Sequence, residues 1–141
     1  MKTKLKPVVQ QEQTGCAIAS VAALAGLSYA QARKLANGLG IHAEDRRLWS
    51  RTDHMRTMLH TLDIRADSTE IPFRDWKSLP DRALLAIKWH REGDTPYWHW
   101  VVFTREDGHA RVLDSSMRVI RHVRTDFGRM KPKWYIGLYP S

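Results

Sequence analysis

Residues 17–25, AIASVAALA, are small or apolar at almost every position. A surface helix keeps a polar stripe, so a helix lacking one must be covered on all sides. This run therefore predicts a central helix with other elements packed around it. The chain has 141 residues, enough for one compact domain with a real core, and we expect a single domain over 1–141. Gly26 is a natural left-handed stop for the central helix. Thr14 is the expected N-cap, since its hydroxyl can accept from an unpaired amide of the first turn.

The neighbouring segments sort into two halves. Ser28 and Gln31 form a capping-box pattern for a second helix to about Ala36, stopped by Asn37-Gly38 and Gly40. Met55, Met58, Leu59 and Leu62 give one apolar face to a third helix over about 52–62. FRDWKSLP is expected to be a short fourth helix ended by Pro80. Beyond it the pattern turns to strands: ALLAIKW, WHWVVFTR, ARVLDSS, a fourth in MRVIRHV, and KWYIGLY as the last. Helices first (about 14–79), then strands joined by hairpins (about 83–139), predict an α+β fold with an antiparallel sheet.

One hairpin fixes a register. Asp107-Gly108 is a favoured pair for a two-residue type I′ turn, which sets Glu106 against His109. Counting back, Asp114 falls opposite Val101. His99 and Asp114 then lie on the same face as diagonal neighbours, about 7–8 Å apart at the backbone and within side-chain reach. A slip of one residue would put them on opposite faces. By alternation Trp98 and Trp100 point the other way, toward a core.

Cys16, the only cysteine, stands at the start of the central helix behind three glutamines in QQEQTGC. A helix N-terminus favours a thiolate. An imidazole can take the thiol proton, a carboxylate can orient that imidazole, and a glutamine amide can donate to an oxyanion. The order Gln, Cys, His, Asp supplies all four groups. Each has a plainer reading: Cys16 as a small buried hydrophobe, His99 as a satisfied strand histidine, Asp114 as a strand-end turn residue. Their joint placement favours chemistry.

Other classes find little support. No P-loop, zinc-finger or H-E-x-x-H pattern occurs, and His42, His54, His60, His90, His109 and His122 show no ligand spacing, so neither metal nor cofactor is expected. The net charge of +8 is dispersed, which reads as a solvated basic surface rather than a specific nucleic-acid interface. One cysteine excludes an internal disulfide and suits a reducing compartment. No segment reaches the length of a membrane-spanning helix, and MKTKLKPVVQ lacks the apolar core of a secretory signal, so the cytoplasm is the default. A domain of a larger membrane protein would read alike.

The residues QQEQTGC, HWVVF and VLDSS, with KWYIGLY as a final strand, resemble the bacterial papain-like peptidases that remove double-glycine leaders from bacteriocins. The resemblance runs from Gln10 to Gly137. It implies a papain-like fold, Cys16 as nucleophile, His99 as base, Asp114 as orienter and Gln10 as oxyanion donor. It also implies a peptide or protein substrate and a place in a larger transporter or secretion system. Gly15 and Ala17 stand where the family usually has an acidic residue and a glycine, and Ser115 stands where it usually has proline. Peptide, isopeptide and side-chain amide bonds all stay open as substrates, as do a toxin or effector, a deconjugating enzyme and an inactive peptide-binding member of the fold. On this reading Gln10→Ala lowers turnover and leaves stability almost unchanged, with Gln13 turned to solvent.

Overall fold

A computed structural model of the chain describes residues 4–139. Helix α1 is Cys16–Ala25, α2 Tyr29–Gly38 and α3 Asp53–Thr61, with a 3₁₀ turn at Arg46–Trp49. Strands β1 (Arg65–Ala66), β2 (Ile71–Pro72), β3 (Arg82–Glu92), β4 (Thr95–Glu106), β5 (His109–Leu113) and β6 (Val123–Arg124) follow. A single turn, α4 (Phe127–Met130), precedes β7 (Trp134–Tyr139).

Helix α1 is buried over its first eight residues, from Cys16 to Ala23. Gly26 ends it at φ 70°, a conformation that only glycine adopts without strain. Its N-cap is Gly15 and not Thr14, and no side-chain oxygen caps the helix. Tyr29 explains the glycine: a Cβ at Gly15 would lie 2.1 Å from the Tyr29 hydroxyl oxygen. Helix α2 carries the complete capping box of Ser28 and Gln31. Met55, Met58 and Leu59 form the buried face of α3.

The sheet is antiparallel, in the order β1-β7-β3-β4-β5-β6, with β2 also pairing β7. The β4–β5 hairpin has the expected register, Glu106 opposite His109 through to Val102 opposite Leu113. Asp107 and Gly108 both have positive φ, 52° and 77°, as a type I′ turn requires. A bulge between Ile87 and His90 breaks the β3–β4 ladder near His99, with Lys88 left-handed at φ 54°.

Two further expectations need correction. FRDWKSLP forms no helix. Asp75 Oδ1 instead accepts from both the backbone N–H and the hydroxyl of Ser78 at 2.8 Å, a local turn that competes with helix formation. MRVIRHV is a strand only at Val123, the first residue of β6. The rest is a loop whose ends are tied by the Asp114 N–H donating to the His122 carbonyl at 2.7 Å. The last strand lies in the interior of the sheet, between β1 and β3, because Arg65 and Ala66 extend the sheet beyond it.

One core joins the helices to one sheet face: Ile18, Val21, Ala22, Met55, Leu84 and Trp100 belong to it together with Cys16. A smaller cluster, including Leu85, Ile87, Val101, Phe103 and Val112, covers the opposite face. Trp98, Trp100 and Trp134 meet edge to face, with centroids 4.8–5.6 Å apart, and the Trp100 indole donates to the Leu48 carbonyl at 3.1 Å. That bond anchors the 3₁₀ turn against β4, on the strand that carries His99. Among the described residues no helix is long and apolar enough to cross a membrane.

Candidate active site

Cys16 is the first residue of α1 and is 5% exposed. Its own amide is among those that an α-helix leaves without an internal partner. The chain reaches it through a tight turn in which the Gly15 N–H donates to the Glu12 carbonyl at 3.0 Å. Tyr29 closes over this turn and donates its hydroxyl to Glu12 Oε1 at 2.7 Å. Burial first, and then the Glu12 carboxylate, push the Tyr29 pKa up, so the phenol stays a neutral donor.

His99 comes to this helix start from β4. Its Nε2 lies 2.7 Å from Asp114 Oδ1, which leaves Nδ1 as the ring's free edge. Burial disfavours the charged ring. The hydrogen bond to Asp114 and the interaction with the Cys16 side chain outweigh it and raise the His99 pKa to about 9. Asp114 is wholly buried. Burial alone would raise its pKa, but His99, the Ser116 N–H and Arg124 hold the carboxyl well below the usual carboxylate range. The Ser116 N–H reaches Oδ1 at 3.0 Å, and Arg124 Nη1 reaches Oδ2 at 3.0 Å.

Gln10 is 5% exposed, while Gln11 and Gln13 are exposed. Its amide nitrogen donates to the carbonyls of Glu12 and Gln13 at 2.9 and 2.8 Å. Its amide oxygen accepts from the Ser115 hydroxyl at 2.9 Å, and its backbone N–H donates to the Ser115 carbonyl at 3.0 Å. Gln10 thus ties the loop before Cys16 to the residue after Asp114, and both of its amide protons are engaged in this state.

The four residues singled out from the sequence therefore gather in one place. Sequence reasoning missed Glu12, Tyr29, Ser116 and Arg124. Arg124 left no local signal, since it is one of many dispersed arginines and meets Asp114 through the β5–β6 pairing. Among the described residues no group of three His, Cys, Asp or Glu could hold a metal ion. A cavity of about 1130 Å³ opens at the far end of α1, lined in part by Leu5, Val8, Ala22, Gly26, Ile64 and Leu138. Neither Cys16 nor His99 lines it.

No protein-family model matches the chain. No curated protein matches its sequence. Solved structures do match. One is a double-glycine-motif protease from an AMS/PCAT transporter in complex with the leader peptide: TM-score 0.62, 16% identity, covering 98% of this chain and 93% of that one. Another is the peptidase domain of Streptococcus ComA, a bifunctional ABC transporter of a quorum-sensing pathway: TM-score 0.63, 16% identity, covering 98% of this chain and all of that one. The fold is accordingly the papain-like α+β fold of double-glycine peptidase domains, over nearly the whole chain.

Proposed function

We propose that the protein is a cysteine hydrolase that cleaves peptide or amide bonds through an acyl-enzyme, acting as one catalytic domain over residues 1–141. The observation that carries this reading is the position of His99, bonded to buried Asp114 through Nε2 and interacting with the Cys16 side chain. His99 takes the thiol proton. The thiolate attacks the substrate carbonyl, forming a C–S bond and an oxyanion. His99 then returns its proton to the leaving nitrogen as the C–N bond breaks, and water, deprotonated by His99, hydrolyses the thioester.

Asp114 fixes the ring orientation and stabilises the imidazolium without taking its proton, consistent with a carboxyl held ionised. The Cys16 backbone N–H is one oxyanion donor. Gln10 is the second, releasing one of its two loop carbonyls as the oxyanion forms.

The substrate is a peptide with a double-glycine leader. The likeness to a structure solved with a leader peptide supports this choice over isopeptide and side-chain amide bonds. The same likeness to transporter peptidase domains supports a cytoplasmic site of action beside a bacterial transporter.

The test combines labelling with turnover. A small alkylating agent at about pH 6, where an ordinary thiol of pKa about 8.5 is mostly protonated, should modify Cys16 quickly in the wild type and slowly in His99→Ala. The wild type should cleave a synthetic leader peptide after Gly-Gly, and Cys16→Ala should not. Slow labelling of both proteins would make Cys16 a structural residue. Fast labelling without cleavage of any peptide would leave a binding module with a reactive thiol.

A further inference from the structure

We propose that Arg124 is a positioning residue of this site, held by Asp126 so that it orients the Asp114 carboxylate and limits how tightly Asp114 binds the His99 imidazolium. The proposal rests on the hydrolase reading above and deepens it.

The geometry divides the Asp114 carboxylate in two. Oδ1 receives His99 Nε2 at 2.7 Å and the Ser116 N–H at 3.0 Å, while Oδ2 receives Arg124 Nη1 at 3.0 Å. Arg124 is itself gripped from outside. Its Nε and Nη2 donate to Asp126 Oδ1 and Oδ2 at 2.9 and 2.7 Å, the two-pronged pairing that a planar guanidinium makes and an ammonium cannot. The side chains form a row of alternating charge: His99, Asp114, Arg124, Asp126. The Cys16 side chain is the ring's other titratable neighbour, with the Tyr29 hydroxyl and Glu12 behind it. His122 touches only the Asp114 backbone carbonyl, through Nδ1 at 2.8 Å.

Two consequences follow for the reaction. A carboxylate fixed at Oδ2 cannot swing away from the ring, so Nδ1 stays aimed at the thiol. A second cation on the carboxylate also draws part of its charge away from the imidazolium. Without that cation the ring faces Asp114 and the thiolate alone and holds its proton more tightly. It then releases that proton less readily to the leaving nitrogen. Both effects pass through Asp114, so Arg124 touches no reacting atom.

The experiment titrates the His99 ring by NMR in the intact 141-residue chain and follows turnover and Cys16 alkylation against pH. Arg124→Gln keeps a donor but removes the charge. It should raise the His99 midpoint by on the order of one pH unit, carry the alkaline limb of turnover with it, and lower kcat. Arg124→Lys should titrate within a few tenths of a unit of the wild type while kcat falls through lost orientation. Asp126→Asn changes an exposed group and is expected to fold. It should lower the midpoint by a few tenths, because it removes an anion and frees more of the Arg124 charge to act on Asp114.

A Gln variant with a wild-type or lower midpoint would overturn the proposal. So would a Lys variant that shifts as far as the Gln one, or an Asp126→Asn protein whose midpoint rises. A wild-type protein with an inert Cys16 would instead sink the hydrolase reading, and the ring titration would still report what Arg124 does to Asp114.

Discussion

His99 and Asp114 meet although Asp114 has already left the sheet. The last β4–β5 pair is Val102 with Leu113, yet the next residue places its carboxylate 2.7 Å from a ring three positions back along the opposite strand. The Asp114 backbone N–H faces the β6 side, where it donates to the His122 carbonyl. The side chain is thus held by its own loop and by Arg124, while the ladder supplies only the approach.

Replacing Asp114 should separate orientation from nucleophilicity. Asp114→Ala is expected to impair turnover less than Cys16→Ala, because the nucleophile remains while the ring loses its orienter. Asp114→Asn keeps the shape and should lower kcat by roughly 10²–10⁴ through the wrong ring tautomer. Steady-state kinetics on a leader peptide check both, and wild-type turnover in Asp114→Ala would remove the residue from the site.

Stability should peak in mildly acidic solution. His99 has a raised folded pKa, so its contribution is complete below the ordinary histidine value near 6.5 and is lost as pH rises through about 9. Asp114 has a lowered one, so its contribution is complete above the ordinary value near 3.9 and is lost as pH falls toward its folded pKa. Thermal melts from pH 3 to 10 should show both flanks, and His99→Gln should flatten the alkaline one.

Gln10 holds its surroundings together as well as facing the thiol loop. Gln10→Ala should lower kcat by about 10²–10³, the usual effect of losing one oxyanion donor. It should also destabilise the protein by about 1–3 kcal/mol, because the Glu12 and Gln13 carbonyls and the Ser115 hydroxyl lose a buried partner. Gln11→Ala and Gln13→Ala should stay near wild type in both respects. Denaturant unfolding beside single-turnover kinetics resolves the two effects, and an inactive Gln13→Ala would mean that the wrong glutamine had been assigned.

Gly15→Ala should be destabilising by about 1–3 kcal/mol, since the added methyl would overlap the Tyr29 hydroxyl. Tyr29→Phe removes that oxygen and should recover part of the loss, although the ring carbon behind it would still stand only 3.0 Å from the new Cβ. A double-mutant cycle by denaturant unfolding measures the coupling; strict additivity would mean that Tyr29 is not what requires glycine here.

Sequence by itself determined the elements whose rules are local. The unbroken small and apolar run after Cys16 demanded a helix covered on all sides, and α1 is buried at each of its first eight positions. The Asp107-Gly108 turn set the β4–β5 register, which holds as far as Val102 and Leu113 and delivers Asp114, just beyond the strand, to within reach of His99. Tertiary structure decided what depends on partners far along the chain. Gln10 turns inward to a serine 105 residues away, and β7 enters the middle of the sheet because β1 pairs beyond it. Arg124 reaches Asp114 because β6 pairs with β5, and Gly15 is a glycine because Tyr29 lies on it. Turn type and strand alternation follow from backbone sterics within a few residues. Which donor meets which acceptor across the fold is set by packing, and no local periodicity records it.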